Sequence, residues 1–174
     1  LDAQCSSITV DSVLVSFAAA TGSPEIFAVT FTTVEVFNTT IHMFNTTMTS
    51  QGGDPFGFGV VGLFSIAALL GGSSSLKNAT VLQTDCLVSG VAAFMFVASS
   101  TLIDALLFEA SNVTATASLG SSVISISLAA RISNAVFSVR QWFVEGAVPI
   151  TFAALTAAQN VSVSVTDSVV RLVP

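Results

Sequence analysis

Tyrosine is absent from this 174-residue chain and charge is scarce: Lys and Arg total 4, Asp and Glu 10, for a net charge of −6. An ordinary soluble domain carries roughly 25% charged residues, whereas this chain carries 8%. Four cations cannot neutralise a run of phosphates, which excludes nucleic acid as a partner. There is one histidine, His42, and it lies in an apolar, strand-like run. The two cysteines, Cys5 and Cys86, form no CxxC pair and no Cys/His cluster, so zinc and redox motifs are missing and no metal or cofactor is expected. GxSxG, P-loop, GxGxxG and HExxH patterns are also missing. No catalytic residue stands out, and the chain does not read as an enzyme.

Hydrophobic residues make up 52% of the chain, including 14 Phe, which excludes intrinsic disorder. A spanning helix needs about 20 mainly apolar residues. The uncharged stretch from Pro55 to Leu76 holds five glycines and a Ser run. The stretch from Cys86 to Ile103 is broken by Ser89-Gly90 and Ser99-Ser100-Thr101. Neither has flanking Lys/Arg clusters, so neither is expected to cross a membrane.

Five of the six asparagines lie in glycosylation sequons: Asn38, Asn45, Asn78, Asn112 and Asn160, with Asn134 the exception. Ser and Thr fill 42 of 174 positions, so chance would place only one or two there. Used sequons face the outside of the cell. Crossing by either uncharged stretch would strand some of the five on the wrong side. An extracellular, N-glycosylated chain follows as the expectation. An even cysteine count in that setting suggests a Cys5–Cys86 disulfide, worth about 3–5 kcal/mol through its long loop. The chain starts at Leu1 without Met or an apolar leader, as expected of a mature form after signal-peptide removal.

Apolar residues alternate with Ser/Thr almost throughout, as in Val13-Leu-Val15-Ser-Phe17, Phe27-Ala-Val29-Thr-Phe31 and Val161-Ser-Val163-Ser-Val165. A period of two predicts half-buried strands. Gly/Pro/Ser breakers separate the runs, and about nine or ten strands are expected in an antiparallel sandwich. Thr101 to Ala110 has a capping-box pattern and an apolar face, making it a helix candidate that could equally be a buried strand. Ala153 to Gln159 is a weaker helix candidate. Asp11 and Asp167 interrupt strand patterns, as at bulges or edges.

The terminal runs Ile8–Phe17 and Val161–Val173 are long and apolar, and the chain has a single lysine to guard its edges. Strands of this kind need a partner. Donation of a terminal strand to the next subunit would supply one, and repetition of that contact makes a filament. A strand-patterned N-terminus, an all-β body, five sequons and little charge together resemble archaeal surface-filament subunits of the donor-strand type, the thread and bundling-pilus subunits. Those are similar in architecture to bacterial chaperone–usher pilins. The resemblance implies an all-β antiparallel sandwich, pilin-like or jelly-roll-like, completed by a neighbour's strand. It implies a head-to-tail extracellular homopolymer serving adhesion and biofilm formation. On that reading residues 1–20 are an extension and residues 21–174 the head domain. Ile8, Val10, Val13, Val15 and Phe17 would fill the acceptor groove, and Cys5–Cys86 would lie within or between subunits. The C-terminal run could instead be the donor, or both termini could pair within their own fold. A monomeric glycosylated surface module and a viral coat protein are the alternatives.

Overall fold

The computed structural model describes residues 2–4, 7–19, 25–32, 35–52, 60–67, 74–99, 101–117, 122–127, 131–146, 148–153, 155 and 157–171. The chain winds as a parallel β-solenoid. Its first rung holds β1 (Asp2–Gln4), β2 (Ser7–Asp11), β3 (Leu14–Ala19) and β4 (Glu25–Thr32). The second holds β5 (Glu35–Phe37), β6 (Thr40–Phe44), β7 (Thr47–Gly52) and β8 (Val60–Ala67). The third holds β9 (Ser74–Thr84), β10 (Leu87–Gly90) and β11 (Ala92–Ser99). The fourth holds β12 (Thr101–Ala117) and β13 (Ser122–Ser127), and the fifth β14 (Arg131–Glu145) and β15 (Val148–Ala153). The last has β16 (Ala158–Thr166) and β17 (Val169–Arg171), its described strands, in one sheet. A 12-stranded sheet faces a 5-stranded sheet of order β15-β13-β11-β8-β4.

The expected antiparallel sandwich is therefore corrected. Each described strand pairing is parallel, as in Ile103↔Ile132 and Leu76↔Ile103. Alternation of apolar and polar side chains is the same in both arrangements, since it reports only which face of a strand is buried. The helix candidate Thr101 to Ala110 lies in β12, and Ala158 and Gln159 begin β16. Within the segment expected to be an N-terminal extension, residues 1–20, β2 pairs with β6 and β3 with β7. Among the described residues no helix is long and apolar enough to cross a membrane.

The parallel register stacks like on like. One inward column runs Ile8, Ile41, Val81, Phe108, Phe137, Val163. In the facing sheet, Val29, Phe64, Phe96, Ile124 and Ile150 stack in the same way. The two sheets meet through phenylalanines. Phe96 lies 5.3 Å from Phe108 and 6.1 Å from Phe137, and stacks on Phe64 at 5.2 Å between ring centroids. All four rings are fully buried. Gly62 lets Phe27 cross close over the backbone; a Cβ there would collide with the Phe27 ring.

Candidate functional site

Among the described residues the sheet turns along two columns of corners, and each residue in those columns has positive φ. The first corner column is Asn38, Asn78, Ala105, Asn134 and Asn160, with φ of 48–54°. The second is Ser12, Asn45, Asp85, Asn112, Gln141 and Asp167, with φ of 50–53° for all but Asn45, at 49°. Residues with a Cβ are uncommon in this left-handed region, and Asn and Asp are the ones that tolerate it. All six asparagines of the chain stand at these corners.

This placement gives the sequons a backbone cause. At a corner the Asn side chain is exposed, the next residue turns inward and the one after points outward. Asn38-Thr39-Thr40 and Asn45-Thr46-Thr47 follow this order, with Thr39 and Thr46 buried. Outward strand positions are rich in Ser/Thr, so an Asn corner tends to generate the sequon pattern by itself. Asn134 is at a corner too, and is followed by Ala135 and Val136.

The corner side chains bond from rung to rung. Asn78 Nδ2 donates to Asn38 Oδ1, and Asn160 Nδ2 donates to Asn134 Oδ1 at 3.1 Å. Asn112 Nδ2 donates to Asp85 Oδ1 at 2.5 Å, and Asn45 Nδ2 to Ser12 Oγ at 3.1 Å. Asn134 Nδ2 reaches Asp104 Oδ1 at 3.0 Å, beside the Ser133 hydroxyl at 2.7 Å. These two donors hold the Asp104 carboxyl below its ordinary range.

Cys86 is explained by the same corner. Thr46 and Ser168 occupy the same inward column and donate to carbonyls two residues back, Phe44 O at 3.0 Å and Thr166 O at 2.7 Å. Cys86 Sγ makes the equivalent contact with Thr84 O at 3.2 Å. Its thiol is free and buried, and burial raises its pKa. Cys5, the partner expected for a disulfide with Cys86, lies outside the described residues.

The five residues expected to form a donor strand lie in the first rung. Ile8 and Val10 pair with Ile41 and Met43, and pack half-buried against the core. The Val13 carbonyl accepts from Thr47 N at 2.8 Å. Val15 and Phe17 are in register with Met48 and Ser50.

His42 faces outward, its ring 5.1 Å from Phe44, and lines a shallow groove of about 340 Å³ with Glu109, Arg140 and several Ser/Thr hydroxyls. His42 and Glu109 share an outward column two rungs apart. At about 4.8 Å per rung that is beyond direct proton transfer.

Among the described residues no strand covers the sixth rung. In the sixth rung the inward side chains Val163, Val165 and Val170 are each 44% exposed. One rung below, in the same columns, Phe137, Val139 and Val144 are sealed. Comparison with protein-family models, with curated proteins and with solved structures found no match.

Proposed function

We propose that this chain is a structural subunit of an extracellular, glycosylated filament built by stacking solenoids end to end. The uncovered core columns of the sixth rung carry this reading. Valines that continue a sealed apolar column are exposed, on strands that pair on one edge only among the described residues. Such edges are templates for another parallel strand. A contact between unlike ends does not close on itself, so repetition gives a fibre rather than a ring. The described fold is a parallel solenoid, so the stacking is of rung on rung and not of a strand in a sandwich groove. The exposed corner asparagines offer sites for N-glycans, which would supply the solubility that so few charges cannot. Adhesion and biofilm formation would follow from a surface fibre of this kind.

Negative-stain electron microscopy of the untagged protein at micromolar concentration tests the proposal. Unbranched fibres one solenoid wide are expected. Monodisperse particles of 17.8 kDa across that range would overturn it. They would favour a monomeric surface module, for which the His42–Glu109–Arg140 groove is the observation to pursue.

A further inference from the structure

Resting on the filament reading, we infer that the sixth rung of one copy is covered by the first rung of a second copy in one fixed register. Val163 lies beside Ile8 of the second copy, Val165 beside Val10, and Val169 beside Leu14. Three observations converge on this partner and this register.

The first is continuity of the columns. Ile8 and Val163 are the two ends of one inward column, and Val10 and Val165 are the ends of the next. Only a further rung of the same cross-section continues both. The corners then set the register. Ser12 and Asp167 end the second corner column, and both have positive φ. A slip of one residue would turn every inward side chain outward. A slip of two would set a corner against a straight strand.

The second is charge. Residues 1–67 contain Asp2, Asp11, Glu25, Glu35 and Asp54 and no Lys or Arg. Residues 131–174 contain three of the chain's four cations, Arg131, Arg140 and Arg171, against Glu145 and Asp167. Head-to-tail contact joins the wholly acidic end to one whose charges are mixed and nearly balanced. Head-to-head contact would join two wholly acidic ends, and neither like-end contact continues a parallel sheet.

The third is the outward column that ends in Leu14 and Val169. Leu14 is 74% exposed and Val169 48% exposed, the two most exposed large apolar side chains among the described residues. The proposed register places them side by side across the contact. The contact is confined to the larger sheet, since the sixth rung has no described strand in the smaller one.

The test is a charge pair built across the contact. Leu14 and Val169 are exposed within one subunit, so Leu14→Lys and Val169→Glu leave folding intact, checked by circular dichroism. Each alone should raise the critical assembly concentration by about tenfold or more, because it sets a lone charge in an apolar contact. The double variant should restore assembly to within a few-fold of the original chain. Leu14→Lys combined with Ser164→Glu, an exposed outward position off register, should not. Fibres from the unaltered chain with no selective rescue would overturn the register and leave the filament standing. Absence of fibres from the unaltered chain would overturn both.

Discussion

Ala105 is the one residue of the first corner column without a polar side chain, yet its φ is 54°. It sits between Asn78 and Asn134 in register. Alanine in this region carries a Cβ clash of roughly 1–2 kcal/mol that Asn partly escapes by bonding locally. An Asn at 105 would also lie about 4.8 Å from the corner residues of both neighbouring rungs. Its Nδ2 could donate to Asn78, as Asn78 does to Asn38 and Asn160 to Asn134. A net hydrogen bond is worth about 1 kcal/mol. Its Oδ1 would compete with Asp104 for Asn134 Nδ2, so only one new bond is counted. Ala105→Asn should therefore stabilise the fold by about 1–2 kcal/mol. For a chain of this size each kcal/mol raises Tm by about 2–4 °C. Urea denaturation and thermal melting followed by circular dichroism measure it. Ala105→Gly separates the conformational part from the hydrogen bond, and should gain less than Asn. Ala105→Val should lose about 1 kcal/mol or more, since branching at Cβ worsens the clash. An Asn variant no more stable than the original, or a Val variant equal to it, would refute the corner assignment.

Phe137→Ala should cost about 3–5 kcal/mol in urea denaturation, because the ring is fully buried between the sheets; a loss under about 1 kcal/mol would contradict the packing. Asp104 has a folded pKa held below its unfolded value by Ser133 and Asn134. Its contribution is therefore present above about pH 4 and lost as pH falls through the folded value. Asp104→Asn should flatten the acid limb of a stability–pH profile, and an unchanged limb would count against those bonds. Asn38 and Asn78 stand on adjacent rungs and share a hydrogen bond. Two glycans have little room on neighbours about 4.8 Å apart. If the native protein is glycosylated as proposed, mass spectrometry of a fragment spanning both sites should show no molecule with both filled, and doubly filled molecules would refute the crowding.

Strand content was legible in the alternating Ser/Thr and apolar residues: the runs at residues 13–17, 27–31 and 161–165 lie in or run into β3, β4 and β16. The direction of pairing was not, because a period of two does not depend on whether the neighbour runs parallel or antiparallel. The signal that could have revealed it was the asparagines. Asn38 and Asn45 are seven residues apart, and the later corners repeat that spacing at 78 and 85, 105 and 112, 134 and 141, and 160 and 167. Asp85, Ala105, Gln141 and Asp167 fill half the later corners, which hides the repeat from a search for Asn alone. Uneven intervals between rungs hide it further: Phe37 faces Lys77, while Leu102 faces Arg131. The sequon excess was real, and the corner accounts for it in the backbone. Asp11 and Asp167 interrupt the strand pattern of the sequence. Asp167 is a corner residue, and Asp11 immediately precedes the corner at Ser12. Cys86 had no sequence signal for its role, since a thiol standing where neighbouring rungs place Thr46 and Ser168 becomes visible only once the rungs are stacked.

The central claim is that rungs stack in parallel along one axis and continue from copy to copy. X-ray diffraction from aligned fibres of the native protein tests it most directly. Strands perpendicular to the fibre axis predict a meridional reflection near 4.8 Å, and six rungs per copy predict an axial repeat of about 29 Å. A 4.8 Å reflection on the equator, or an axial repeat far from six strand spacings, would contradict the account.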